Sequence, residues 1–149
     1  MAAIAADHPG LPAEATADAW IAEAQAAWRA DAASWPEVTD HDRLQRAFAS
    51  LEGRGIAVLQ GVADHWEARD ELDRRTPKPA GIAWFTQIDV WHAIDAGMLE
   101  VNLWHGTTAN VAPGDVLLEQ ALAAFAEVGL DAHFDEGRIE VAAHWQYRP

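Results

Sequence analysis

Four of the seven histidines in this chain lie directly beside a tryptophan, in the pairs His65-Trp66, Trp91-His92, Trp104-His105 and His144-Trp145. Each pair places a titratable ring nitrogen next to a large flat apolar ring, a combination that suits ligand and metal sites. The same pattern also fits a tryptophan-rich core whose rim is histidine. The pairs therefore indicate a candidate surface without choosing between these two interpretations.

Strand alternation predicts a polar sheet face. Residues 98–104 alternate in polarity, so one side of that strand carries Glu100, Asn102 and Trp104. If a hairpin near the C-terminus is its neighbour, the same face gains Asp131, His133, Glu140, His144 and Gln146. Carboxylates and imidazoles beside an aromatic platform suit a divalent metal or a small polar ligand. The alternative is a solvent-exposed face with cross-strand ion pairs such as His133–Glu140.

The loop over residues 105–110 is a second candidate ligand site. It leads from a strand end towards a helix predicted to begin at Pro113, which is where α/β proteins often bind ligands and anions. His105 and Thr107 supply its imidazole and a hydroxyl. The loop lacks the glycine density and the lysine of a phosphate-binding loop, so an ordinary polar connection is the alternative.

Most of the eight tryptophans fit a structural role. Five are predicted to pack in the core because they fall on apolar stripes or buried strands: Trp20, Trp28, Trp66, Trp84 and Trp91. The other three are less constrained and are candidates for lining an interface or groove: Trp35, Trp104 and Trp145.

No catalytic residue, cofactor or metal is assigned from the sequence. The chain has no cysteine, which excludes disulfides, a thiolate nucleophile and thiolate metal sites. Ser34 and Ser50 are its only serines, and neither lies in a nucleophile motif.

Apolar periodicity predicts alternating helices and strands. Helices are expected over residues 14–32, from an N-cap at Thr39 to Gly53, over 63–75, over 89–96, and from Pro113 to near Gly129. Strands are expected over 56–60, 82–86 and 98–104. The final hairpin pairs Phe134 with Ile139 and His133 with Glu140, which puts its apolar residues on one face.

The alternation of helices and strands along the chain predicts an α/β fold. The alternative is an α+β arrangement of the layers. We expect a flexible leader over residues 1–12 and one domain over 13–149. Its mixed sheet has four or five strands, ends in an antiparallel hairpin, and carries helices mainly on one face.

Composition limits the partners. The chain has 24 acidic and 10 basic residues, for a net charge of −14 over 149 residues. Such a surface repels nucleic acids and anionic membranes and favours a basic protein partner. No signal peptide or membrane span is evident, so a cytoplasmic location is expected. A homodimer is left open.

A recurring pattern of mostly structural residues runs from Asp42 to Gly106 and continues downstream. It consists of Arg43-Leu44, Ala47-Phe48, Leu51, Gly55-Ile56-Ala57, Gly81-Ile82-Ala83-Trp84-Phe85, Gln87, Asp89, Ala93, Gly97 and Leu99, with Gly129-Leu130, Arg138-Ile139 and Trp145 downstream. This pattern resembles that of a bacterial family, the domain of unknown function 6891. The resemblance covers about residues 39–148 and implies one α/β domain but no activity. Where members often carry a cysteine-containing stretch, this chain has residues 61–66 without cysteine.

The sequence is compatible with two classes of function. The preferred one is a non-enzymatic protein-interaction or regulatory module that acts through an acidic, tryptophan-bearing surface. The alternative is a small-ligand or metal-binding protein, or a hydrolase, that uses the polar sheet face and the His105 loop. The candidate ligand-binding residues are Glu100, Asn102, Trp104, His105, Thr107, His133, Glu140 and His144.

Overall fold

The computed structural model describes residues 13–148, so the predicted leader over residues 1–12 lies outside the described residues. Contacts divide the chain into two compact units, of which the first is Met1–Glu37 with Arg148. Helix α1 spans Ala13–Ala33 in this unit. Trp28 and Trp35 meet edge to face with ring centroids 5.7 Å apart, and Arg148 donates a hydrogen bond of 2.8 Å to the carbonyl oxygen of Pro36.

The second unit, over Val38–Tyr147, alternates helices and strands as predicted. In chain order its elements are α2 (Asp40–Gly53), β1 (Ile56–Val62), α3 (His65–Arg74), β2 (Gly81–Thr86), α4 (Gln87–Ala96), β3 (Met98–His105), α5 (Val116–Glu127), β4 (Ala132–Asp135) and β5 (Arg138–Ala142). The α/β class is confirmed.

The five strands form one mixed sheet in the order β1-β2-β3-β5-β4. β1 and β2 are parallel, and every other neighbouring pair is antiparallel. The predicted hairpin register is confirmed, since Phe134 pairs with Ile139 and His133 with Glu140. Its turn places Glu136 at φ 47° and Gly137 at φ 89°, the two positive angles of a two-residue type I′ turn.

Helices cover the two faces of the sheet unequally. Side chains from α2, α4 and α5 pack with one face of every strand into the main core, which includes Phe48, Val90, Phe125, Phe85 and Val101. A smaller cluster on the other face joins Ala68 and Leu72 of α3 to β1 and β2. Since α3 covers only that end, the same face of β3, β5 and β4 keeps its polar residues. Helices lie mainly on one face, as predicted.

Local capping explains where the helices of this unit begin. The Thr39 hydroxyl accepts a hydrogen bond from the Asp42 N–H (3.2 Å), and the Asp42 carboxylate accepts one from the Thr39 N–H (3.0 Å). Thr86 and Asp89 form the same box at the start of α4. Gly97 then ends α4 in the left-handed region at φ 71°, a conformation that glycine adopts readily at helix ends, and the helix stops after residue 96 as predicted.

The predicted start of α5 at Pro113 is wrong, because the helix begins at Val116. Gly114, at φ 90°, turns the chain before the helix. The Asp115 carboxylate accepts a hydrogen bond of 2.8 Å from the Ala112 N–H, which fixes that turn. Pro113 therefore belongs to the connection.

The tryptophan assignments need correction. Trp84 is buried as predicted, but Trp20, Trp66 and Trp91 are more than half exposed. On α4 the buried positions are Val90 and Ala93, and Trp91 follows Val90 by one residue. One residue turns a helix by about 100°, so Trp91 points away from the core. Trp145, which was a candidate for lining an interface or groove, packs against the main core.

Candidate functional site

The predicted polar sheet face exists because β3 and β5 are neighbours. Glu100 lies directly opposite Glu140, and Asn102 opposite Arg138. On the other side of β5, His133 lies opposite Glu140. A surface depression of about 190 Å³ is lined there by Glu100, Asp135, Glu136, Arg138 and Glu140. Four predicted site residues therefore share one surface: Glu100, Asn102, His133 and Glu140.

These charged groups bind one another. Arg138 Nη1 lies 2.5 Å from Glu100 Oε2, and His133 Nε2 lies 3.2 Å from Glu140 Oε2. The positive charge of Arg138 offsets part of the repulsion between the two facing glutamates, and the His133 ring contacts Glu140. Arg138 is a member of this surface that the sequence analysis left out of the site. Its position opposite Asn102, two residues from Glu100, appears only once β3 and β5 are known to pair.

Trp104 is on the same face of β3 as Glu100 and Asn102, as predicted, but it packs against Trp84 with ring centroids 4.9 Å apart at 66°, at the border of the cluster under α3. His144 lies apart from the charged group. The His144 N–H donates to Asp40 Oδ2 (3.0 Å), and its ring lies over Gly97. The structure therefore keeps Trp104 on the predicted face, at the end covered by α3, and places His144 elsewhere.

The His105 loop is held by its own hydrogen bonds. His105 Nε2 lies 2.9 Å from Asp115 Oδ2, the oxygen that also accepts from the Ala112 N–H. Chiefly this backbone hydrogen bond, and then the one from His105, holds the pKa of Asp115 below its ordinary value of 3.8. Thr107 is exposed at the tip of the loop. His105 and Asp115 thus clip the loop to the start of α5.

A metal centre has no visible ligand set in the described part of the chain. No group of three or more histidine, aspartate or glutamate side chains there is arranged to hold a metal ion. Ligand binding by the eight residues named from the sequence stays a prediction.

His41 lies in an aromatic cluster where residues 143–147 cross α2 and α4. We call residues 143–147 the C-terminal strap. The His41 ring contacts Trp145 and Tyr147, with centroids 4.6 and 5.1 Å away. The strap is also tied by backbone hydrogen bonds from Ala143 to Gly97 (3.0 Å) and from Trp145 to Ala93 (3.4 Å). Burial lowers the pKa of His41 below its ordinary 6.5, and the Asp42 charge opposes this shift.

The two helices that follow the parallel strands pack on opposite faces of the sheet. α3 follows β1 onto one face, and α4 follows β2 onto the other, the arrangement in which open α/β sheets bind ligands at the carboxyl ends of their strands. Here acidic side chains already accept from the amides that begin both helices. Glu67 accepts from the Ala63 N–H and Asp89 from the Thr86 N–H. Added negative charge at this edge disfavours an anion.

The exposed apolar side chains near this edge are the feature that sequence reasoning missed. Trp66, the second residue of α3, is 57% exposed, and its ring lies 6.0 Å from the Arg69 guanidinium carbon. Ile88, the second residue of α4, is 76% exposed, and Trp91 is 58% exposed. Ile88, Trp91 and Asp95 follow at i, i+3 and i+7, so they share one solvent-facing stripe of α4. The spacing of these three residues is visible in the sequence. It identifies an exposed stripe only once Val90 and Ala93 are known to form the buried side of α4.

The fold and these surfaces define a small α/β domain with a mixed sheet that is covered unevenly by helices. The family model described as Domain of unknown function (DUF6891) matches residues 1–149, and the chain belongs to this family. The match includes α1 and the residues before it, whereas the sequence resemblance was limited to about residues 39–148. No curated protein and no solved structure matches the chain. Within residues 13–148, no helix is both long and apolar enough to span a membrane.

Proposed function

We propose that this protein is a non-enzymatic interaction or regulatory domain that binds a basic partner protein through an acidic, tryptophan-bearing surface on α4. The observation that supports this proposal is the solvent-facing stripe of Ile88, Trp91 and Asp95, whose two apolar members are more than half exposed. We call these three residues, with His92, the α4 stripe.

The apolar members of the α4 stripe do little for the fold. Val90 and Ala93 bury the opposite side of the helix, so the core is complete without Trp91. A tryptophan side chain removes roughly 150–250 Å² from water when a partner covers it, and tryptophan is enriched among residues that dominate binding energy. Exposed Trp91 is therefore the expected anchor of a contact.

The acidic residues of this chain indicate that the partner is positively charged. Between Lys78 and Arg138 the chain contains no lysine or arginine but nine acidic residues: Asp89, Asp95, Glu100, Asp115, Glu119, Glu127, Asp131, Asp135 and Glu136. The α4 stripe lies inside this stretch. A basic partner would be attracted at long range and would associate faster at low salt.

The test replaces the apolar members of the stripe. Ile88→Ser with Trp91→Ser is expected to abolish capture of a partner from a lysate of the cells that naturally make the protein. Val116→Ser is the matched control, because Val116 is 72% exposed on a different helix. Capture by the unchanged protein and by the control should weaken as salt is raised.

Circular dichroism and the midpoint of thermal unfolding keep the comparison interpretable, since both variants should unfold like the unchanged protein. Equal capture by the stripe variant and the control would overturn the proposal. So would the absence of any salt-sensitive partner.

A further inference from the structure

The two edge strands of the sheet differ in how their outward backbone groups are covered. On β1, the Val58 N–H donates to Glu52 Oε1 at 2.8 Å. The Gln45 and Gln60 amides beside this edge bond each other reciprocally at 2.8 and 2.9 Å. Side chains therefore occupy the β1 edge, which is one way that proteins prevent unwanted strand pairing.

The β4 edge has no such cover among the described residues. In a two-residue type I′ hairpin, Asp135 and Arg138 exchange both backbone hydrogen bonds, and alternate residues then point away from the partner strand. The Ala142 N–H bond to the Asp131 carbonyl (2.8 Å) fits this parity. Ala132 and Phe134 therefore direct their N–H and C=O groups outward, and these groups have no backbone partner in the described chain.

The side chains beside this open edge alternate in character. Ala132 and Phe134 are half-buried and pack against the main core, whereas His133 and Asp135 are exposed on the polar sheet face. Three carboxylates follow the edge: Asp131, Asp135 and Glu136. An added antiparallel strand would place apolar side chains beside Ala132 and Phe134 and its alternate side chains beside His133 and the carboxylates of Asp131 and Asp135 that flank it.

We infer that β4 docks an extended segment of a partner protein that alternates apolar and basic residues and joins the sheet as a sixth, antiparallel strand. This inference rests on the proposed interaction function and adds the binding mode and the partner's chemistry. Backbone hydrogen bonds hold such a strand, and side chains select it. A second copy of the chain is disfavoured as occupant, because its β4 would bring the same carboxylates to the edge.

The probe is a peptide of about eight residues, the length of a typical strand, that alternates valine and lysine and has blocked ends. Valines opposite Ala132 and Phe134 direct their own N–H groups towards β4. Methylating the valine nitrogens should therefore weaken binding at least about tenfold through lost hydrogen bonds, whereas methylating the lysine backbone nitrogens should not. Both methylated peptides carry equal charge, so simple electrostatic attraction predicts equal affinity.

Amide hydrogen exchange in the full chain locates the contact. In the free protein, the amides of Ala132 and Phe134 should exchange quickly, whereas those of His133 and Asp135 are protected by pairing with β5. The peptide should slow exchange at Ala132 and Phe134 alone within β4. Ala132→Pro, which removes one outward N–H, should lower peptide affinity about fivefold or more, and Ala132→Val is the matched control that keeps it.

Several outcomes would overturn the inference. They are equal binding of the two methylated peptides, unchanged exchange at Ala132 and Phe134, and dimers of the free protein that protect these same amides. Binding of this peptide is measured independently of partner capture through the α4 stripe. A failure at β4 therefore leaves the proposed function standing, and equal capture by the stripe variant and its control leaves the β4 result standing.

Discussion

The pKa of His41 depends on its burial, on its aromatic neighbours and on a nearby charge. Trp145 and Tyr147 shield part of its ring from water, and this burial disfavours the charged imidazolium. Asp42 partly offsets the effect, and the lowered pKa shows that burial prevails. In the neighbouring segments, the Asp40 carboxylate accepts the His144 N–H at 3.0 Å, so one further acidic group lies on α2 beside the strap.

Lowering the pH should destabilise the protein through His41. Its folded pKa lies below 6.5, so the unfolded chain binds protons more readily, and stability falls as pH decreases below that value. His41→Phe should remove this part of the pH dependence because phenylalanine does not titrate. The measurement is the midpoint of thermal unfolding between about pH 5 and pH 8, a range that contains the histidine titration. Parallel pH curves for both proteins would contradict the assignment.

Gly97 combines a special backbone angle with a close contact. Its φ is 71°, and an added Cβ would lie 2.5 Å from Cε1 of the His144 ring. Gly97→Ala should therefore reduce the free energy of unfolding by about 2 kcal/mol, as strain and crowding combine. Chemical denaturation measures the loss.

Gly137→Ala is the control for Gly97. Gly137 has φ 89° but open space around the position of an added Cβ, so its substitution reports backbone strain alone. A loss at Gly97 no greater than that at Gly137 would show that the His144 ring gives way freely.

At the scale of helices and strands, the contribution of a single helix cap to stability can be measured at the capping box of α2. Thr39 is buried, and its hydroxyl accepts from the Asp42 N–H. Thr39→Ala should cost about 1 kcal/mol of stability by leaving that amide without its acceptor, whereas Thr39→Ser keeps an acceptor. Denaturant unfolding of both variants checks the expectation, and equal losses would assign the effect to the missing methyl group.

The clip between β3 and α5 should respond to acid. The hydrogen bond from the Ala112 N–H holds the pKa of Asp115 below 3.8, so its contribution is present above that value and is lost as pH falls through the folded pKa. Asp115→Asn should remove the transition, which the chemical shift of the Ala112 amide can follow. A titration of that amide that persists in the variant would assign it to another group.

At the scale of the whole molecule, net charge opposes compactness. With 24 acidic and 10 basic residues, the folded chain repels itself when counterions are few. Raising ionic strength from about 0.01 to 0.15 M shortens the screening length from roughly 30 to 8 Å, so the thermal midpoint should rise. Exposed ion pairs such as Arg138–Glu100 weaken in the same salt, but such pairs are worth little. A falling midpoint would show that ion pairs outweigh the repulsion.

The sequence by itself determined the features that depend on neighbours along the chain. The Thr39 cap, the end of α4 at Gly97 and the hairpin register each rest on a short stretch of residues whose periodicity and backbone preferences act locally. The β3 alternation likewise fixed which side of that strand is polar. These features were predictable because the residues that decide them lie within a few positions of one another.

Only the tertiary structure decided which surfaces meet and which remain open. Trp91 was expected in the core, but α4 packs through Val90 and Ala93. Because Trp91 is one position further along the helix than Val90, its side chain points into solvent. Glu100 and Arg138 became partners because β5, and not β4, lies beside β3. His144 lies outside the predicted site because the strap crosses α4 at Gly97 and places the His144 ring there. Strand order and helix rotation are set by the packing of the whole core, which no local pattern encodes.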